Sequence, residues 1–354
     1  MYLVLAILIF SFLIFIHEFG HFITAKLFDV KVNEFAIFMG PRILHWGRGE
    51  TKYSLRCLPI GGFCAMEGED GSSSDPRSFT AKAPWKRAVI LAAGAFMNFL
   101  TGFLLLCILY VSATGFRTLE VTGFLEGCPL EGEHGLQVGD VMTKIDGENL
   151  YIFSDFSLIT ERSGEGTMDV EVRRNGKKVL IEDLDMTRRD YLVDGETQHI
   201  YGLTFAGVEE NSPGVLLKNA ALTSIDFARM VKMGLVDLLT GRAGMEDMSG
   251  PVGIVDTIQE TGKAAESTRD GIMNVIYFGA FIAINLSFMN MLPIPALDGG
   301  HIFFLLVTWA IESITKKKID PKYEAYIHGA GLVLLLGFML FVTFHDIVKL
   351  VMGG

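Results

Sequence analysis

Phe15-Ile16-His17-Glu18-Phe19-Gly20-His21-Phe22 decides the fold, because it sets three ionisable side chains inside an otherwise apolar segment. From Met1 to Leu27 the apolar run is interrupted by His17, Glu18, His21 and Lys26. A membrane-spanning helix needs roughly 20 apolar residues, so this segment is long enough. A signal peptide would begin with basic residues and end at a small-residue cleavage site. Here the first Lys is Lys26 and no such site follows the run, so a retained span is expected. Ionisable groups in a span are costly unless partnered, which makes this turn and a half of helix a candidate functional site. Positions i and i+4 of a helix share a face, so both imidazoles can reach one metal ion, with Glu18 beside the water that such an ion binds.

The remaining charges separate two solvents. The 354 residues are 50% hydrophobic and 20% charged, with a net charge of −11. This acidic balance excludes a general nucleic-acid binder, which needs a basic surface. The four Cys form no CxxC pair and no disulfide framework. Ala88 to Phe116 is a run of 29 uncharged residues, and another of 27 lies between Asp270 and Asp298. With Met1 to about Leu27 and Ala325 to His345, these give four expected spans. Gly299 to Ile311 is expected to be a helix continuing along the interface. Residues 113 to 271 hold 15 basic and 28 acidic residues, a net of −13, so the rest of the chain is slightly basic. Lys26 to Arg87 carries ten basic residues, and Lys316, Lys317, Lys318 and Lys322 cluster between spans three and four. The positive-inside rule then places 28–87 and 312–324 in the cytoplasm, and 113–271 and both termini outside.

Within the acidic region, Val121 to Leu125, Val141 to Ile145, Met168 to Arg173 and Lys178 to Ile181 are short strand patterns separated by turns such as Asn175-Gly176. From Gly214 to about Thr240 the apolar residues recur at helical spacing. A small mixed domain followed by an amphipathic helix is expected.

A catalytic zinc takes three protein ligands and leaves a position for water, so His17 and His21 call for a third. Asp298 is the best candidate: it ends the third apolar run, and spans one and three run in the same direction. At 1.5 Å per residue His17 lies about 25 Å along the first helix, at the depth expected for Asp298. His301 is a rival three residues on, but Gly299 and Gly300 are expected to break the helix between them. His328 and His345 pair with no other His at metal spacing and are read as interfacial or packing residues.

These motifs, in this order and with a translocated domain between spans two and three, resemble the site-2 protease family of intramembrane zinc metalloproteases, in its bacterial form with one PDZ domain. The resemblance covers essentially the whole chain. It implies an α-helical polytopic membrane protein of four transmembrane helices, with an inserted extracytoplasmic PDZ-like α+β domain and a membrane-associated β-hairpin region. On that frame 1–112 is the first part of the membrane core (span one about 1–27, cytoplasmic loop with hairpin 28–87, span two about 88–112). The PDZ-like domain is 113–206, the amphipathic connector 207–270, and the rest of the core 271–354 (spans about 271–297 and 325–348).

The resemblance makes His17, His21 and Asp298 the Zn2+ ligands and Glu18 the base. Asn290, Pro293 and Pro295 would hold an extended substrate near the metal. Ser54 to Met66, with Gly61 and Gly62, resembles the family's membrane-associated β-hairpin region; as a strand-like segment it is able to add an unwound substrate as an extra strand, and Gly61-Gly62 fits a plain loop turn equally well. Ser249-Gly250-Pro251-Val252-Gly253-Ile254 resembles the segment before span three, and Gly135 to Asp140 the PDZ turn. One departure is Gly94-Ala95-Phe96-Met97-Asn98, where the family often has Gly-Pro. The implied partners are the lipid bilayer of a bacterial inner membrane and single-span proteins already cut by another protease, such as anti-sigma factors or remnant signal peptides. A catalytically inactive membrane-anchored PDZ scaffold is the alternative. A transporter would need polar residues spread through several spans, and here they gather at one depth.

Overall fold

A computed structural model of the chain describes residues 1–47, 49–69, 73–193, 195–242, 244, 250–317 and 322–352. Ser249 and Lys318, to which the sequence assigned places, lie outside the described residues. In chain order the elements are α1 (Tyr2–Leu27), β1 (Val32–Trp46), β2 (Lys52–Met66), α2 (Pro84–Val111), β3 (Gly115–Arg117), β4 (Gly123–Phe124), β5 (Val141–Ile145) and β6 (Glu148–Asn149). They continue with α3 (Phe153–Ser163), β7 (Thr167–Arg174), β8 (Lys177–Asp185), β9 (Arg189–Val193), β10 (Glu196–Ile200), β11 (Leu203–Thr204) and β12 (Val208–Glu210). The chain closes with α4 (Pro213–Thr240), α5 (Pro251–Lys263), α6 (Thr268–Asn290), α7 (Asp298–Thr315) and α8 (Lys322–Met352).

Among the described residues four helices, α1, α2, α6 and α8, are long and apolar enough to cross a membrane. Their surfaces fit that solvent. Leu8 and Phe12 on α1, Leu104 and Ile108 on α2, and Val333, Leu334, Leu340, Phe341 and Phe344 on α8 are exposed. Apolar surface of that extent is covered by lipid in an integral membrane protein.

Two compact units are present, Met1–Leu109 with Phe227–Gly354, and Tyr110–Asp226. In the first, α1 packs at both ends. Ala6 and Leu13 are buried with Ile258 of α5 and Val275, Ile282 and Ala283 of α6. Nearer its C-terminal end Ala25, with Phe15, Phe19 and Phe22, packs against Val32, Phe35, Cys64 and Met66 of the hairpin and Ile90 and Leu91 of α2. The hairpin is folded back on itself: Phe35 lies opposite Cys64 on one side and Tyr53 on the other. Gly61, at φ +81, makes the bend of β2 in a region that side chains avoid.

Helix α2 runs unbroken through Gly94 and Ala95. The third apolar run is not one helix: α6 stops at Asn290, because Pro293 and Pro295 cannot continue it. The turn that follows leads into α7 at Asp298, whose carboxylate sits in a first helical turn, where the helix dipole favours negative charge.

The second unit is the mixed domain that the strand patterns indicated. Its four-stranded sheet has the order β6-β5-β7-β8. Val121, Leu130, Leu136, Met142, Ile145, Phe156, Ile159, Val170 and Val172 form the centre of its core. Asp140, fully buried, accepts from Arg174 Nη2 at 2.7 Å and from the Gln137 amide at 2.9 Å, which fixes the turn before β5. The β9–β10 hairpin and α3 have no counterpart in the sequence reading.

Candidate metal centre

The i, i+4 spacing on α1 brings His17 Nε2 and His21 Nε2 to 3.2 Å of each other. Asp298 Oδ2, arriving from the first turn of α7, lies 3.2 Å from His17 Nε2 and 3.6 Å from His21 Nε2. These three are a group able to hold a metal ion. Ligands about 2.0–2.1 Å from a tetrahedral zinc stand about 3.3–3.4 Å apart, close to the spacings found.

The protonation logic agrees with that fit. His21 Nδ1 donates to the Ile90 carbonyl at 2.9 Å, which leaves Nε2 with its lone pair directed at the other two donors. Asp298 Oδ2 is buried without a hydrogen-bond partner, a costly arrangement that a cation relieves. His17 Nδ1 faces the Asn98 amide at 3.4 Å, and Asn98 Oδ1 is buried without a partner. Turning that amide by half a rotation, an assignment that the hydrogen-bond network decides, lets Nδ1–H donate to Oδ1 and satisfies both groups.

Small residues make the approach of the helices possible. A Cβ at Gly20 would overlap the Ala93 carbonyl of α2, and a Cβ at Gly94 would overlap the rings of His21 and His17. Gly94 is thus the floor of the donor set, a role that the sequence, which noted this stretch for its missing proline, did not reveal.

Glu18 sits beside the pair on α1. A Cβ at Gly62 would lie 3.3 Å from Glu18 Cγ, so β2 passes directly over the carboxylate-bearing side chain. Gly61, by contrast, is set against Met39 of β1. Asn290 is the last residue of α6, Pro293 is exposed, and Pro295 packs against Gly331 of α8.

His301 is not with the three donors, and for a reason other than the one the sequence suggested. Gly299 and Gly300 do not break the helix: α7 starts at Asp298 and runs through them. Their missing side chains instead let the first turn of α7 press on the backbone of Met291, Leu292 and Ile294. His301 stacks on His328, ring centroids 3.6 Å apart and 2° from parallel.

A family model described as Peptidase family M50 matches residues 5–338. A Clostridium perfringens protein named by assignment as a zinc metalloprotease is 35% identical over 98% of this chain and 99% of its own length. A similarly named protein of Clostridium acetobutylicum is 36% identical over 98% of this chain and 97% of its own. The regulator of sigma-W protease RasP of Bacillus subtilis is 29% identical, covering 97% of each chain.

Proposed function

The chain belongs to Peptidase family M50, the site-2 proteases, and from that membership we propose that His17, His21 and Asp298 hold its zinc, that Glu18 is its base, and that it cuts peptide bonds within the spans of single-span membrane proteins. It is a zinc metalloendopeptidase of the membrane. The observation that carries the residue assignment is the convergence of three lone-pair donors from two helices at 3.2, 3.2 and 3.6 Å.

Zinc supplies a Lewis acid that polarises a peptide carbonyl and acidifies water. Glu18 takes the proton of the attacking water on its carboxylate and delivers it to the departing amine. The Ile90 carbonyl and the Asn98 amide orient the two imidazoles through their far nitrogens.

A substrate helix has its carbonyls tied up in i to i−4 hydrogen bonds, and lipid offers no replacements, so it must unwind before it is cut. Strand β2 supplies backbone partners to an added strand at Gly61 and Gly62, the second of which lies beside Glu18. The Asn290 amide holds a further substrate group, and Pro293 and Pro295 keep the adjoining backbone extended. The basic loops 28–87 and 312–324 face the cytoplasm of a bacterial inner membrane, with both termini and the PDZ-like domain 113–206 outside. That domain, followed by the connector 207–270, favours substrates already trimmed by another protease, such as anti-sigma factors or signal-peptide remnants, either by adding their new C-terminus as a strand or by sterically excluding large ectodomains.

Cleavage of a single-span reporter by purified protein in detergent tests the reading. Glu18→Gln is expected to retain zinc and to lose about 10²- to 10⁴-fold in rate. Reporter cleavage that survives both Glu18→Gln and a chelator would overturn it.

A further inference from the structure

We propose that His328 is a positioning residue for the metal centre: it grips the Ala296 amide and thereby holds the turn that delivers Asp298. The inference rests on the zinc-ligand reading of Asp298 given above. Ala296 N–H donates to His328 Nδ1 at 3.0 Å. Ala296, two residues before Asp298, has φ +74 without being a glycine. A side chain in that left-handed region persists only where its surroundings hold it.

Helix α8 provides the hold at two points on one face. Three residues after His328, Gly331 brings the α8 backbone against Pro295: a Cβ there would come within 2.5 Å of Pro295 Cβ and 3.0 Å of its carbonyl carbon. On the other side, α7 fixes the His328 ring. His301 stacks flat upon it, and Phe304 meets it edge-on at 5.3 Å. The helix that begins with Asp298 therefore locks, one turn later, the residue that grips the turn before it.

His301, Glu324 and His328 also have the composition of a second metal site. Three features exclude that use. Parallel rings 3.6 Å apart cannot aim their in-plane lone pairs at one ion. Glu324 Oε1 is 4.0 Å from both His301 Nδ1 and His328 Nε2, wider than the roughly 3.3 Å edge of a tetrahedral zinc site. Because Nδ1 accepts from Ala296, the neutral ring carries its proton on Nε2, which has no lone pair for a metal. The nearest carboxylate oxygen to that buried Nε2–H, Glu324 Oε1, is 4.0 Å away, beyond hydrogen-bond reach, so it is the Ala296 N–H that sets the tautomer in which Nδ1 accepts.

Removing the acceptor frees Ala296 to relax toward negative φ, which rotates the chain entering Asp298. The test uses the full-length protein in detergent and compares His328→Asn, His328→Gln and His328→Leu. Asn places its amide oxygen where Nδ1 was, Gln places one near Nε2, and Leu has none. Two readouts apart from cleavage are taken: zinc affinity by competition with a chromophoric chelator, and the visible absorption of the cobalt-substituted protein. Expected are a 10- to 100-fold loss of zinc affinity and an altered cobalt spectrum for His328→Leu and His328→Gln, with both restored in His328→Asn.

Unchanged affinity and spectrum in His328→Leu, or a His328→Asn as impaired as His328→Leu, would overturn the proposal. If His328→Leu does not accumulate, the contrast between Asn and Gln decides, together with Gly331→Ala, which pushes Pro295 from outside the hydrogen bond and is expected to weaken zinc likewise. An unmodified protein without zinc would instead overturn the ligand reading on which the proposal stands.

Discussion

At the residue scale, glycine is used where helices meet at the proposed metal site. Gly94 lies under both histidine rings, and any Cβ there would displace them. Gly94→Ala is expected to lower zinc affinity at least 10-fold while leaving the protein folded, measured as zinc per chain against a chelator series. Asn98 offers a finer probe. Asn98→Asp keeps an acceptor for His17 Nδ1–H, whereas Asn98→Leu removes it, so zinc affinity should fall about 10- to 100-fold only in the second. Equal behaviour of the two variants would sever Asn98 from His17. His17 and His21 could be paired from the sequence because helical period alone sets i against i+4. Gly94 and His328 could not, since their roles depend on which neighbour their backbone or ring meets across the chain, His17 and His21 for Gly94 and Ala296, 32 positions away, for His328.

At the element scale, the spans were legible because lipid demands long uncharged helices, and a charge map shows them directly. The amphipathic α4, found at Pro213–Thr240, was legible by period. The turn between α6 and α7 was not: an apolar run ending in Asp298 looks like one helix until Pro293 and Pro295 are weighed against it. The folded-back hairpin hid its polar centre in the same way. Glu34 of β1 receives hydrogen bonds from Ser54, Arg56 and Arg42. Burial pushes its carboxyl up, but those bonds outweigh it and hold the group down at about 2, against 4.5 when free.

A carboxyl held down in the fold stabilises above its unfolded pKa and ceases to do so as pH falls through its folded one. Glu34→Gln should therefore lower stability by about 2 kcal/mol at pH 7, with the gap from the unmodified protein closing between pH 4.5 and about 2. Thermal melts in detergent across that range check it, and a gap independent of pH would contradict the cause. Asp346 of α8 accepts from the Gly253 amide at 2.8 Å and the Gly250 amide at 3.3 Å, capping α5 from another helix. Asp346→Ala should cost about 1–2 kcal/mol in the same melts.

At the scale of the whole molecule, two solvents explain the composition. The acidic surplus sits in residues 113–271, while the apolar surface of α1, α2 and α8 asks for lipid. Within the Tyr110–Asp226 unit the buried Asp140 is matched by Arg174, so Asp140→Ala is expected to destabilise that unit by about 3 kcal/mol and leave zinc binding unchanged. Loss of zinc in that variant would contradict this expectation.

The central claim, that two imidazoles of α1 and one carboxylate of α7 hold the zinc, is tested most directly by X-ray absorption at the zinc edge of the purified protein. One zinc per chain is expected, with nitrogen and oxygen ligands at about 2.0–2.1 Å, two of them imidazoles, and the loss of one imidazole in His21→Ala. A sulfur shell near 2.3 Å, drawn from Cys57, Cys64, Cys107 or Cys128, or a spectrum unchanged in His21→Ala, would contradict it.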